Sequence, residues 1–289
     1  MRSITCTNNN GNSIVFGETA FSPFLLAHVD GLYNSKNELS ITENAMLSGG
    51  DFQGSRIPTR NIVLTVTDKP HNKYAQAQRD ALREVFTEGM RGTLTYEEDG
   101  SKRCTDYYVE SIEKGDRQLY IISLLCPDPY FYDTEYSRAT MSAWASDFEF
   151  PHEFQEEGEE LGHKDEVRII EIRGISPNPV GMIMKITANG PVTNPSVVKI
   201  SSGETITLGT ETHPFEMIYG DEVTITTEDG KKNVTRTRGD ETESVNQYMT
   251  EDSVFFQITN GTNFFGYTAE DGVDNISFDI YYRNRYEGA

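Results

Sequence analysis

The stretch LLCPDPYFYD occupies residues 124–133. Two leucines and a cysteine lead directly into Pro127-Asp128-Pro129, and three aromatic residues and an aspartate follow. Proline has no N–H to donate to a sheet, and it biases the preceding residue toward an extended backbone. Because Cys126 and Asp128 both precede prolines, we expect the strand ending at Cys126 to leave its sheet as a stiff, extended exit. Local chemistry alone fits an ordinary strand-terminating loop equally well.

The residues before this exit predict β-structure with one helix. NIVLTVTD (61–68) alternates apolar and polar side chains, as a half-buried strand does. Asn10-Gly11 and Asp99-Gly100 lie between alternating segments and predict hairpin turns. Residues 72–89 carry an apolar stripe at helical spacing, with Asn72 suited to the start and Gly89 to the end. The stripe consists of Leu82, Val85 and Phe86.

After the exit, the pattern predicts a second all-β domain. From residue 167 onward, turn signals recur about every 8–12 residues, a spacing typical of β-sandwiches. Between the two lies an acidic segment with few apolar residues, which is typical of a solvated linker. We therefore predict an N-terminal domain over 1–134, a linker over 135–167 and a β-sandwich over 168–289.

Charge and cysteine content exclude several functional classes. The formal net charge of −21 opposes specific nucleic-acid binding, because phosphate contacts need Lys and Arg. No run of about 18 apolar residues predicts a membrane span. Three widely spaced cysteines predict buried free thiols made in a reducing cytoplasm, not a disulfide framework or a metal site.

The catalytic and ligand motifs that we considered are incomplete. HEFQE (152–156) has Glu156 where a zinc protease needs its second histidine. GGDFQGSR (49–56) lacks the Lys-Ser/Thr and the following helix of a phosphate loop, so it predicts a Gly-rich surface loop. No nucleophile with a base is apparent. We predict no catalytic residue, no metal site and no cofactor.

The order of several segments resembles the siphophage distal tail protein (Dit) family, within the wider phage tail-component family, over nearly the whole chain. Its N-terminal part shows SIVFG, HVDGLYN, GGDFQGSR, GTLTYEEDGSKR and LLCPDPYFYD. Its C-terminal part shows NPSVVKISSGETITL, YGDEVTITT, SVFFQITNGTNFFGY and YYRNRYEG. The segment 134–168 is the least similar.

The resemblance implies a non-enzymatic virion protein. Its N-terminal domain would be a β-barrel-like fold with one helix that forms a hexameric ring, and its C-terminal domain a galectin-like β-sandwich. The ring would join the tail tube to tail-tip fibre or lysin proteins and to a receptor-binding protein. DNA would pass through it. Residues Cys126, Pro127, Asp128 and Pro129 would then form the interdomain exit.

Two other functions and two explanations of the acidity stay open. A carbohydrate-binding adhesin would need an exposed aromatic platform, for which the candidates are Tyr219, Phe264, Phe265 and Tyr267; the only tryptophan, Trp144, precedes the sandwich strands. A tail-associated hydrolase lacks a visible catalytic set. The acidity would serve either a pore that does not grip DNA or general solubility.

Overall fold

The structure of the chain is a computed structural model. This structure describes residues 2–17, 24–33, 37–43, 48–68, 75–115, 119–142, 144–146, 162–164 and 169–289. Two compact units make up the chain. Unit 1 comprises Met1–Thr134 and Arg285–Ala289, and unit 2 comprises Glu135–Asn284.

Unit 1 is a closed β-barrel with one helix. Seven strands run in the order β8-β7-β1-β2-β3-β6-β9, and β9 pairs again with β8, which closes the barrel. Strand β10 extends the sheet from β8, and β24 pairs with β10. The elements are β1 (Arg2–Asn8), β2 (Ser13–Gly17), β3 (Phe24–Asp30), β4 (Glu38–Glu43), β5 (Gly50–Arg56), β6 (Arg60–Asp68), α1 (Ala75–Val85), β7 (Arg91–Glu98), β8 (Ser101–Lys114), β9 (Leu119–Cys126), β10 (Phe131–Asp133) and β24 (Arg285–Tyr286).

Alternation and turn chemistry determine the barrel strands. In β6, Ile62, Leu64 and Val66 are fully buried, as the sequence predicted. The predicted turn at Asp99-Gly100 joins β7 to β8, and both residues adopt positive φ, 50° and 86°. Such a backbone matches the twist of the flanking strands, which explains the Asp-Gly pair.

Helix α1 contributes its predicted apolar stripe to the barrel core. Leu82, Val85 and Phe86 are all buried. The Phe86 ring lies 5.9 Å from the ring of Phe16 and 6.3 Å from that of Tyr107. An amphipathic helix is stabilised mainly by packing of this kind, so this aromatic contact explains how an 11-residue helix persists.

Unit 2 is a two-sheet β-sandwich. One sheet has the order β11-β23-β15-β19-β20-β21, and the other β14-β22-β16-β17, with β18 paired to β16. The elements are β11 (Ser137–Ser142), β12 (Trp144–Ser146), β13 (Gly162–Lys164), β14 (Ile169–Gly174), β15 (Met182–Ala188), β16 (Val192–Lys199), β17 (Glu204–Thr207), β18 (Glu216–Met217), β19 (Glu222–Thr226), β20 (Asn233–Arg238), β21 (Glu241–Ser244), β22 (Gly261–Asp271), β23 (Ile276–Tyr282) and the 3-10 turns Asn246–Tyr248 and Val273–Asn275.

A single apolar core joins the two sheets of unit 2. Strand β15 alternates strictly, with Met182, Met184, Ile186 and Ala188 buried. These side chains belong to one cluster with the buried residues of β16 and β22 in the other sheet. The predicted fold class is therefore confirmed: a mainly β chain with an N-terminal barrel, one helix and a C-terminal sandwich.

The units differ in three places from the predicted boundaries and loops. Residues 137–142, assigned to the linker, form β11, an edge strand paired with β23. Arg285–Ala289, assigned to the sandwich, lie in unit 1. The predicted Gly-rich loop at 49–56 is mostly strand β5, because its backbone pairs with that of β4 from Gly50 to Arg56. Most of the predicted acidic linker lies outside the described residues.

The one helix described, α1, is too short and too polar to cross a lipid bilayer.

Candidate functional site

The predicted exit lies at the end of β9 and is held in place by hydrogen bonds. Cys126 is buried as the last residue of β9, while Pro127 and Asp128 are exposed. Asp128 accepts hydrogen bonds from the Tyr130 N–H at 3.1 Å and from the Tyr132 hydroxyl at 2.6 Å. These two bonds turn the chain into β10, so the chain enters unit 2 only at Glu135.

Arg60 binds the carbonyl that ends the exit. This guanidinium is 4% exposed. Its Nε donates to the Pro129 carbonyl at 2.6 Å, and its Nη1 donates to the carbonyls of Gly31 at 2.6 Å and Leu32 at 3.1 Å. Its Nη2 donates to the Glu287 carbonyl. A buried cation normally needs compensation, and here main-chain oxygens supply it.

Burial dominates the electrostatics of Arg60. Removal from water lowers the pKa of its guanidinium, and nearby negative groups offset part of that effect. The group stays charged, because arginine starts from a very high value. It also lies 5.0 Å from the Phe131 ring centroid. One cation thus joins β6, the loop at 31–32, the exit and the 285–289 segment.

The segment 285–289 is built into the barrel unit. Arg103 donates from Nη1 to the Gly288 carbonyl at 2.6 Å and stacks over the Tyr286 ring at 3.9 Å. The Tyr286 hydroxyl donates to Asp133 Oδ1 at 3.0 Å. The Ala289 N–H donates to the Leu32 carbonyl at 3.0 Å. Unit 1 is therefore completed by the far end of the chain.

Sequence reasoning missed Arg60 and the role of 285–289. A signal for Arg60 was present, because it has the same parity as the buried Ile62, Leu64 and Val66 and so faces the barrel interior. The short strand β24 has no comparable signal, since two residues carry too little periodicity.

The four aromatic sugar candidates do not form a platform. Phe265 and Tyr267 are buried in the sandwich core, where the Tyr267 hydroxyl donates to the Ile276 carbonyl at 3.2 Å. Phe264 and Tyr219 are exposed, Tyr219 by 79%. Strand β16 pairs near them at Lys199 and at Val192 respectively, and the eight residues from Val192 to Lys199 span about 23 Å. Phe265 and Tyr267 are therefore excluded as sugar contacts because the sandwich core buries them. Phe264 and Tyr219 are too far apart to form one platform.

The described part of the chain contains no group of three or more His, Cys, Asp and Glu side chains arranged to hold a metal ion. The three cysteines are free and buried. Burial raises the pKa of the Cys126 thiol to about 12 and raises that of Cys6 further. Such thiols stay protonated at neutral pH and are poor nucleophiles.

Lys199 is the buried basic residue of the sandwich. Its Nζ donates to the Gln257 carbonyl at 2.8 Å, and Thr259 Oγ1 lies 3.5 Å away. Burial lowers the pKa of the amine. Its partners are neutral groups that anchor the 257–259 segment, so the contacts indicate a structural role.

Known proteins match this architecture. Residues 176–286 match the family described as siphovirus-type tail component, C-terminal domain. Among solved structures, the SPP1 Dit protein is 11% identical to this chain, with a TM-score of 0.68. That protein is described as a paradigm of the hub adsorption apparatus in phages infecting Gram-positive bacteria. That similarity covers 98% of this chain and 99% of the SPP1 protein.

A second structure gives a similar result. A chain from the phage P2 baseplate in its activated conformation with Ca is 13% identical, with a TM-score of 0.52 and full coverage of both chains. Comparison with curated protein sequences gives no significant match. The family match over 176–286 and the fold shared along the whole chain confirm the resemblance drawn from the sequence, to the siphovirus-type tail component family that includes distal tail proteins.

Proposed function

We propose that this protein is a structural distal tail protein, the baseplate hub of a phage with a long non-contractile tail. The observation that carries the proposal is similarity to the SPP1 Dit hub protein over 98% of this chain, so that both units find a counterpart. The family match of residues 176–286 supports it independently. In this role the chain has no catalytic step, and its function is to assemble.

In the proposed assembly, unit 1 forms a hexameric ring at the tail tip. The ring joins the tail tube protein to tail-tip fibre or lysin proteins and to a receptor-binding protein, and DNA passes through its opening. The protein is made in the cytoplasm of the host bacterium and ends in the virion tail. Cys126, Pro127, Asp128 and Pro129 are proposed to begin the exit from the ring, with Arg60 holding it.

The distribution of charge is compatible with a ring built from unit 1. Residues 1–134 contain 13 basic and 18 acidic side chains, while residues 135–289 contain 12 and 28. The net charges are therefore −5 and −16. Residues 135–167 account for −8 of the −16 and residues 168–289 for the other −8, so the barrel and the sandwich differ only by −5 against −8. Like charges oppose close packing, so this difference favours contacts through the barrel only slightly.

A carbohydrate-binding adhesin receives no support from the candidate aromatics. Stacking on a sugar needs aromatic faces exposed side by side. Phe265 and Tyr267 are buried, and Phe264 and Tyr219 lie near opposite ends of one sheet. We therefore retain the hub as the proposed function.

Light scattering coupled to size-exclusion chromatography tests this proposal on the full chain. The hub role predicts a particle of about six times the 32.6 kDa chain mass. A particle that remains at 32.6 kDa at every concentration would contradict self-assembly into a ring.

A further inference from the structure

The hairpin β4–β5 lies outside the described apolar core of unit 1. Among the described residues, its two strands pair only with each other, and neither contributes to the barrel core. All its described residues are exposed except Gly54, which is half-buried. An isolated two-stranded hairpin is at best marginally stable in water, so a further contact is needed to hold it.

One face of this hairpin is apolar. Leu39 and Ile41 share a face by alternation, and Ile41 lies directly opposite Phe52. These three residues, the hairpin face, are each 55% to 64% exposed. The edge of the hairpin is polar, with Arg56 paired to Glu38 at 2.7 Å. A contiguous apolar surface of this kind marks an interaction site.

The outer wall of the same barrel carries a second set of exposed apolar side chains. Tyr108 on β8 lies directly opposite Leu125 on β9, and Ile121 follows on the same side of β9. These three residues, the wall patch, are 36% to 43% exposed. Between these side chains, the Asn61 side-chain amide donates hydrogen bonds to Glu110 and Ser123. The polar groups on this part of the wall therefore already have hydrogen-bond partners within the chain.

We propose that the hairpin face of one copy packs on the wall patch of the next copy. The inference rests on the proposed ring, and it names the two surfaces that form it. Two different surfaces of one chain that fit each other make a head-to-tail contact, which closes into a ring when the rotation permits. The net charge of −5 on residues 1–134 opposes this contact slightly less than the −8 on residues 168–289 would oppose a contact through the sandwich.

The two surfaces supply most, but not all, of the apolar area that such a contact buries. At about 200 Å² for each large side chain, and with exposed fractions of 36% to 64%, the six residues together expose about 600 Å². A standard interface buries about 1,600 Å², of which roughly 900 Å² is apolar. The two surfaces therefore supply about two thirds of the apolar area that a specific contact requires.

Cross-linking between separately purified full chains tests the contact. Chains carrying Ile41→Cys are mixed with chains carrying Leu125→Cys and oxidised mildly; the three native cysteines are buried. We expect a disulfide-linked dimer from this pair. The matched control pairs Ile41→Cys with Ile200→Cys, an exposed residue of the sandwich, and is expected to give none.

A second variant links the contact to assembly. Replacing Leu39, Ile41 and Phe52 by Ser is expected to convert the assembled particle to the 32.6 kDa monomer. Replacing the exposed Ile169, Ile175 and Ile200 by Ser is the control and should leave the particle intact.

The outcomes separate the two proposals. If the parent chain assembles but the Ile41→Cys and Leu125→Cys pair links no better than the control, the ring stands and this contact is wrong. If linked dimers form without a ring, the contact stands and the hexamer is wrong. If the parent is monomeric and nothing links, both are wrong.

Discussion

At the scale of single residues, the most consequential side chain is Arg60. Its guanidinium contacts the exit, the 31–32 loop and the 285–289 segment together. Its partners are main-chain carbonyls, which cannot move away without moving the chain. Loss of the guanidinium therefore removes four hydrogen bonds to buried or partly buried carbonyls, of which the Leu32 carbonyl keeps the Ala289 N–H as a donor.

Arg60→Met is expected to lower the free energy of unfolding by about 3 kcal/mol, because buried carbonyls lose their hydrogen bonds. Chemical denaturation followed by tyrosine fluorescence measures the change. The control is Arg56→Met, whose side chain is 79% exposed and should change stability by no more than about 0.5 kcal/mol. Equal effects of the two variants would show that Arg60 does not stabilise the barrel.

We expect the Asp221 carboxylate to make a pH-dependent contribution to the stability of the fold. It is fully buried and accepts hydrogen bonds from Arg238 at 2.8 and 2.6 Å and from the Ile218 N–H at 3.0 Å. Mainly through the hydrogen bonds from Arg238, the pKa of this carboxyl is held below its usual range. A carboxyl whose pKa is lower in the folded than in the unfolded protein stabilises the fold at pH values above the unfolded-state pKa. This contribution to stability is lost as the pH falls through the folded-state pKa.

Asp221→Asn should therefore cost roughly 1–2 kcal/mol at neutral pH, because the ion pair is half exposed on the Arg238 side. The difference from the parent should shrink below about pH 4, near the ordinary aspartate range, where the parent carboxyl also takes up a proton. Thermal unfolding at several pH values checks this, with Asp240→Asn in an exposed turn as control. A cost that is constant with pH would contradict the ion-pair explanation.

At the scale of elements, alternation and turn residues predicted the barrel strands and hairpins correctly. The period of β6 and the Asp99-Gly100 turn are local signals, and the structure has both. The pairing of β24 with β10 joins residues far apart in the chain, and two residues have no periodicity to read. The buried positions of Phe265 and Tyr267 depend on which face of β22 meets the second sheet, which sequence alone leaves open.

The close packing around Gly288 gives a prediction about how tightly the 285–289 segment is held. A Cβ at this position would lie 2.7 Å from the Tyr33 carbonyl oxygen, closer than such atoms approach. Gly288→Val should displace the segment, lower stability by about 1–3 kcal/mol and expose its amides to hydrogen exchange. In the control, Gly115→Val, the nearest atom is 3.7 Å away and no loss is expected from a clash. Unchanged exchange in 285–289 would contradict the tight fit.

The two prolines of the exit give a prediction about the turn from β9 into β10. Replacing Pro127 and Pro129 by Ala should leave both units folded, because the residues end a strand, but it should loosen the path from β9 into β10. Hydrogen exchange should then be faster at the amides of residues 130–133. The control replaces Pro177 and Pro179, which have the same spacing in a loop of unit 2, and should leave exchange at residues 130–133 unchanged. If the Pro127/Pro129 variant exchanges there at the rate of the parent, the exit is an ordinary loop.

At the scale of the whole molecule, the N-terminal 134 residues carry a net charge of −5 and the remaining residues carry −16. The barrel supplies the surfaces proposed for the contact between copies, and most of the net charge of −21 lies outside residues 1–134. An opening that transmits DNA must not bind it, because Lys and Arg side chains on its wall would contact the phosphates. These properties fit the proposed role as a connector.

Electron microscopy of the purified full chain, with averaging of end-on views, tests the central claim most directly. The account predicts rings of six copies around an open channel wide enough for duplex DNA. Rings of six without an opening would contradict passage of DNA. Single 32.6 kDa particles at all concentrations would contradict the hub itself.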